Sequence, residues 1–316
     1  MNGKERILAT LDGAPRDHLA LMPITMMFAG DTAGVLYRDY ASDHSVLAAA
    51  QLCTAEKYGF DYVSAISDPA REASDLGGVI EWFENQPPAI VESQAVLHEK
   101  SRLGSLGQPE MAAGSRMEDR IRAVEALRRG VGEDLLVEGW VEGPCAMGAD
   151  LRGINSLMLD FSDAPEFIND LFAFVVTMEI AFAKAQIQAG ADLIGVGDAA
   201  SSLVGPRLYR QYVLPWQKKL IAAIQAEGAR VRLHICGNTR RILGDMGTTG
   251  ADLIDLDFPS PVAEARHAMT ATQPLLGNLD PVRTVRDGTP ASVTEAIAQC
   301  HREAGGAFIV GAGCEI

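Results

Sequence analysis

Short apolar segments, each closed by Gly, Asp, Pro or Cys, alternate with longer helical ones about eight times along this chain of 316 residues. The apolar segments run Leu19–Thr25, Asp61–Ile66, Leu135–Val141, Asp192–Val196, Arg230–Cys236, Asp252–Leu256, Pro274–Leu279 and Ala307–Val310. Between them helices are expected at Ser45–Tyr58, Glu118–Arg129, Ala164–Ala189, Pro206–Glu227, Thr239–Met246, Val262–Met269 and Ala291–Ala304, with a short one first at Lys4–Leu11. A small hairpin over Val79–Trp82 and Ala89–Ser93 and a loop over Gly104–Gly114 interrupt the pattern. This alternation predicts a parallel sheet wrapped by helices. For a chain of this length it favours a single-domain α/β fold, the (β/α)8 TIM barrel, over an open doubly wound sheet. No GxGxxG follows a first strand, so nothing supports a dinucleotide-binding variant. The sequence shown stops at Ile316, just past the eighth apolar segment. Either the N-terminal helix covers that flank or a C-terminal helix lies beyond the sequence shown.

Charge narrows the partners. Acidic residues outnumber basic ones by 42 to 27, a formal net charge of −15. That excess argues against nucleic acid and against an anionic membrane surface. The longest apolar-rich stretch, residues 167–189, carries Asp170, Glu179 and Lys184. It reads as a buried helix rather than a membrane span. The five cysteines are odd in number and irregularly spaced. They fit a reducing, cytoplasmic setting better than a disulfide framework, and the N-terminus has no apolar signal core.

In Arg230–Cys236 the apolar Val231, Leu233 and Ile235 alternate with Arg232, His234 and Cys236. Such alternation is a strand, and it turns His234 and Cys236 to one face. Two ligands so placed can grip one metal ion, preferably zinc. In a barrel every strand ends at the same rim. Cys314, at the end of the eighth apolar segment, would there meet Cys236, at the end of the fifth. His, Cys and Cys leave a fourth position open, as in a catalytic rather than a structural zinc site. The competing reading is plain burial, since cysteine is among the most buried residues and His-x-Cys alone is a weak signal. Cys53 and Cys300 fall on helices and read as core or interface, and Cys145 as a loop residue near the mouth. Asp68, Glu72, Glu142, Asp198, Asp257 and Asp280 stand at strand ends. They are either turn formers and helix caps or an acidic mouth, suited to a cationic metal and to a protonated amine or an amide.

Several segments together resemble the uroporphyrinogen decarboxylase superfamily: Leu233–Asn238 (LHICGN), Gly277–Pro281 (GNLDP), Gly313–Glu315 (GCE) and the helix with Tyr209 and Val213–Pro215. Within it they are similar to the corrinoid-dependent branch, the methylcobamide:coenzyme M methyltransferases and their bacterial relatives. The likeness runs over nearly the whole chain and is strongest from Asp192 to Cys314. That branch binds zinc through a His-x-Cys pair and a distant Gly-Cys, which the decarboxylases lack.

The resemblance implies Zn2+ held by His234, Cys236 and Cys314, and a zinc-activated thiol that attacks a methyl group on cobalt. It implies that the methylcobamide corrinoid arrives on a separate small corrinoid-binding protein, since nothing here resembles a cobalamin-binding His motif. The methyl acceptor or donor would be a small molecule, with either direction of transfer open. Asp257, Asp198, Asp68 and Glu72 are the expected catalytic carboxylates, Asp257 as a fourth ligand or as a brace for one. Asn278 and Asp280 are expected to meet the corrinoid. A homodimer is compatible with this reading. Two alternatives stand beside it: a metal-free decarboxylase, and a non-catalytic corrinoid or small-ligand binding protein of the same fold. Decarboxylases carry an arginine-rich motif after the first strand to hold the porphyrinogen's carboxylates. Here Leu21–Gly30 has no arginine.

Overall fold

The computed structural model describes residues 1–316. Seven strands form one sheet in chain order, each neighbouring pair parallel. They are β1 (Tyr62–Ser64), β2 (Leu136–Glu142), β3 (Leu193–Gly197), β4 (Arg230–Ile235), β5 (Leu253–Leu256), β6 (Leu275–Leu279) and β7 (Phe308–Ala312). Helices cover the outer face, so β2, β3, β5 and β7 are buried along their whole length.

The expected strand at Leu19–Thr25 is instead one bridge, Leu21 to Val310. Met22 N–H donates to Val310 O and Val310 N–H to Ala20 O, both at 2.8 Å, and Asp61 N–H donates to Leu21 O at 3.1 Å. The segment therefore bonds to β7 on one side and to the residue before β1 on the other. Pro23 explains its shortness: it has no N–H to extend a ladder. Leu21 N–H is taken up by a side chain, Asp61 Oδ2, at 2.7 Å.

Most expected helices form within a few residues of their predicted ends, as His44–Tyr58, Arg116–Val131, Pro165–Gln188, Val262–Ala268 and Pro290–Ala304. Thr239–Met246 shrinks to the single turn Leu243–Met246. Thr239 N–H bonds Ser260 Oγ at 2.8 Å instead of starting a helix. Pro206–Glu227 is broken by a π-helical turn at Tyr209–Val213, just before Pro215. The hairpin is only Ile80–Glu81 with Ala89–Ile90. Helices at Met27–Ala33, Tyr37–Ser42, Pro144–Arg152 and Ile154–Asp163 escape the sequence pattern. One of them corrects an expectation, because Cys145 is buried inside helix Pro144–Arg152 rather than in a loop. Cys53 is exposed rather than core, whereas Cys300 is buried.

Helix Gly3–Leu11 packs against β2 and β7. No helix is long and apolar enough to cross a membrane. The long helix Pro165–Gln188 turns Leu171, Phe172, Val175 and Val176 into the core.

Inside the curled sheet the polar residues of β4 face inward and its apolar ones face the helices. Arg232 Nη1 lies 3.1 Å from Glu138 Oε1 of β2, and its Nη2 lies 2.7 Å from Asp255 Oδ2 of β5. All three side chains are buried. Removing such charges from water costs several kcal/mol each, so they persist only as a bonded set. His234 is the next inward residue above this layer.

Candidate metal centre

The period of two that sends Leu233 and Ile235 to the helices sends His234 and Cys236 inward. Strand register sets Asp255 directly beside His234 on one side and Gly197 on the other. β7 shares no ladder with β4, and the curl of the sheet brings its end across. Cys236 Sγ lies 3.7 Å from Cys314 Sγ and 3.0 Å from His234 Nε2. All three donor atoms fall within 4.8 Å of one another.

Gly313 permits this approach. A Cβ at that position would lie 2.2 Å from Phe258 N and 3.0 Å from Asp257 Oδ1. With no side chain there, Gly313 N–H reaches Leu279 O at 2.7 Å and the end of β7 settles against the end of β5.

The three side chains fit zinc. With Zn–S bonds of about 2.3 Å, a tetrahedral angle sets two sulfurs about 3.8 Å apart; here they are 3.7 Å apart. The same geometry asks for about 3.6 Å between nitrogen and sulfur, so the His234–Cys236 pair would open slightly. On the far side of the imidazole lies a buried carboxylate. His234 Nδ1 sits 2.9 Å from Asp255 Oδ2, at ion-pair distance but without hydrogen-bond alignment, and both groups are buried. A carboxylate behind a ligating histidine fixes its tautomer and raises its basicity.

Electrostatics in this cluster are those of a proton shared among soft ligands. The hydrogen bond with Cys236, helped by His234 and opposed by burial, holds the Cys314 thiol down at about 4. The same bond and burial push Cys236 up. Burial favours a neutral His234, yet the Cys236 sulfur and the Asp255 carboxylate outweigh it and raise its pKa. A bound divalent ion would take over this role, requiring both thiols ionised and the imidazole neutral.

The three donor side chains open on a cavity of about 160 Å³. Ile24, Met26, Ile66 and Trp140 form its apolar wall, and Asp68, Glu142, Asp198 and Glu315 its polar part. Asp68 accepts from both terminal nitrogens of Arg116, at 2.9 and 2.6 Å. Burial works against its ionisation, but Arg116 prevails and holds its pKa low. Asp198 Oδ1 accepts from Ala146 N–H at 2.7 Å and Oδ2 from the Gln217 amide at 2.6 Å. Its burial still pushes its pKa up to about 6. Burial likewise raises Glu142, which accepts from Trp140 Nε1 at 3.2 Å.

The other expected site residues have different neighbours. Asp257 Oδ2 accepts from Gly237 N–H and its Oδ1 from Phe258 N–H. It braces the turn after Cys236 and stands outside the group of three donors. Glu72 lies outside the cavity lining, paired with Arg71 at 3.0 Å. Asn278 Nδ2 donates to Ser260 O at 2.8 Å and to Asp257 O at 3.2 Å, tying down the loop after β5. Asp280 Oδ1 accepts from Val282 and Arg283 N–H, both at 2.9 Å, and so caps the turn Pro281–Arg286. Trp140 lines the cavity but gave no sequence signal, and Glu315 lines it after entering the sequence reading only as part of the Gly313–Glu315 segment. Trp140 sits mid-strand, and its indole lies over β3 only because residue 195 is glycine, where a Cβ would come within 2.2 Å of the ring.

Comparison with known proteins places this chain among relatives. The family description "Uroporphyrinogen decarboxylase (URO-D)" matches residues 2–316. The methylcobamide:CoM methyltransferase MtbA of Methanosarcina mazei is 28% identical, over 98% of this chain and 92% of that protein. A uroporphyrinogen decarboxylase of Nocardia farcinica is 31% identical, over 47% of this chain and 41% of that protein. Among solved structures, a methyltransferase from Methanosarcina mazei superposes with a TM-score of 0.90 at 22% identity, covering 100% of this chain and 94% of that one. With the family match spanning both the His234–Cys236 strand and the Cys314 end, this chain belongs to the uroporphyrinogen decarboxylase (URO-D) family.

Proposed function

We propose that this chain is a zinc-dependent methyltransferase of a corrinoid pathway, moving a methyl group between a methylcobamide on a separate corrinoid protein and a small thiol. The observation that carries this reading is the triangle of His234, Cys236 and Cys314 opening on a small cavity. A zinc ion there would lower the pKa of a bound thiol and present it as a thiolate at neutral pH. The thiolate sulfur would attack the methyl carbon in line, forming an S–C bond as the Co–C bond breaks with its electron pair left on cobalt. The chain's own task is placement. His234, braced by Asp255, and the two cysteines would hold the zinc ion that binds the thiol's sulfur at the cavity. Ile24, Met26, Ile66 and Trp140 keep water from its flank. Asp257 holds the Cys236–Gly237 turn in position. The seven-stranded sheet and the Leu21 bridge are read together as one closed (β/α)8 barrel forming a single domain.

Relatives support the methyltransferase branch, since the likeness to MtbA spans nearly the whole chain. A decarboxylase reading has the family description and a half-length match in its favour. The cavity speaks against it. About 160 Å³ is well below the roughly 300–1,000 Å³ usual for drug-sized ligands, and a tetrapyrrole is larger still. The lining carries four carboxylates and no Lys or Arg to hold a polycarboxylate.

The test is metal analysis of chelator-free protein, followed by demethylation of methylcobalamin with a panel of thiols. One zinc per chain and thiol-dependent loss of the methylcobalamin spectrum are expected. Protein without stoichiometric zinc, or full zinc retention by the Cys236→Ala/Cys314→Ala double variant, would overturn the reading. Uroporphyrinogen turnover by that double variant would establish the decarboxylase instead. Zinc without methyl transfer to any thiol would leave a binding protein.

A further inference from the structure

We infer that the thiol served by this site carries a protonated amine on its tail, and that thiols ending in a sulfonate or carboxylate are discriminated against. The inference rests on the metal–thiol reading above and names the substrate class for that same cavity.

Charge around the cavity is one-sided. Asp68, Glu142, Asp198 and Glu315 line it, and no Lys or Arg does. Three guanidiniums behind the wall are bonded to carboxylates. Arg116 is spent on Asp68 through both terminal nitrogens. Arg71 is shared between Glu72 at 3.0 Å and Glu142 at 3.5 Å. Arg232 is held by Glu138 and Asp255. Asp198 and Glu315 have only neutral donors: Ala146 N–H and the Gln217 amide for the first, Met27 N–H for the second.

The metal does not redress this balance. A divalent ion on two thiolates and a neutral imidazole has no net charge, and a third thiolate makes the set anionic. An anionic tail would leave water for a cavity lined by acidic groups and find no charged donor. An ammonium would find carboxylate acceptors and form charge-assisted bonds. Size does not decide the matter, because a two-carbon thiol of either charge fits about 160 Å³. Coenzyme M, the thiol named for the relatives, is a sulfonate. The cavity of this chain therefore points away from that thiol.

The test uses three thiols of equal arm length, cysteamine, 2-mercaptoethanol and 2-mercaptoethanesulfonate. Each is titrated calorimetrically into the zinc-loaded full chain at one neutral pH. Cysteamine is expected to bind at least about tenfold tighter than the sulfonate, with the neutral thiol between them. Methylcobalamin demethylation is expected to follow the same order. The three thiols differ in their own acidity, so Met26→Arg is measured in parallel. That change adds a cation to the lining, and the ratio between variant and native protein cancels thiol acidity. A swing of about tenfold or more toward the sulfonate is expected.

A sulfonate that binds native protein as tightly as the amine, or an unchanged ratio in folded Met26→Arg, overturns the assignment of the tail while the metal–thiol reading stands. If none of the three binds zinc-loaded protein, the metal–thiol reading fails and this inference with it. The native ranking is decisive by itself should Met26→Arg not fold.

Discussion

Cys236 Sγ lies 3.7 Å from Cys314 Sγ although 78 residues separate them. Their strands do not pair, since β4 bonds β3 and β5 while β7 bonds β6. The contact depends on the curl of the sheet and on the missing side chain at Gly313. The metal reading therefore makes predictions at positions far apart in the chain.

Replacing either cysteine by alanine removes a ligand and leaves two. Zinc affinity is expected to fall by more than the roughly tenfold to hundredfold that follows loss of an outer partner. Competition against a chromophoric chelator measures this directly. Equal zinc affinity in Cys314→Ala and native protein would remove Cys314 from the site.

Asp255 serves two buried partners, Arg232 and His234. Asp255→Asn is expected to weaken zinc about tenfold to hundredfold. It also leaves Arg232 with Glu138 alone, so folding stability should drop by about 3–5 kcal/mol. Chelator competition and urea unfolding separate the two effects. Lower stability with unaltered zinc binding would confine Asp255 to the ion-pair layer.

Gly313→Ala places a methyl where a Cβ meets Phe258 N at 2.2 Å. Overpacking of this kind costs about 1–3 kcal/mol, and here it displaces Cys314 as well. A lower melting temperature together with weaker zinc binding is expected. Normal zinc affinity in the folded variant would show that Cys314 tolerates the displacement.

Asp198 gives a pH signature. Burial raises its pKa from 3.8 in the unfolded chain to about 6 in the fold. The folded state thus holds this proton more tightly. The contribution is fully present below about pH 4, is lost as pH rises to about 6, and stays lost above that, on the order of 3 kcal/mol in all. Asp198→Asn should abolish that decline, as urea midpoints of both proteins between about pH 4 and 7 would reveal. Identical pH dependence in the two would show that Asp198 ionises normally.

The reach of the sequence can be judged residue by residue. His234 and Cys236 were readable as a pair because a period of two is a local property of one strand. Cys314 was readable only through the assumption that parallel strands end at one rim. Asp198 and Asp68 do line the cavity, as a strand-end position suggested. Asp280 and Asn278 had the same sequence signature and instead cap a turn and tie a loop. A carboxylate after a strand satisfies either role, and its neighbours decide which. Glu72 faces Arg71 behind the wall because helix Arg71–Asp75 turns it there.

The sequence by itself determined the alternation of strands and helices, the acidic balance and the shared face of His234 and Cys236. These follow from side-chain periodicity and charge, which act within a few residues. Tertiary structure decided what no local pattern contains. It set the 3.7 Å approach of Cys314 and the backing of His234 by Asp255 through strand register. It committed Arg116, Arg71 and Arg232 to carboxylates, leaving the cavity without a cation. Each depends on which strands lie side by side and how far the sheet curls, and both are properties of the packed whole.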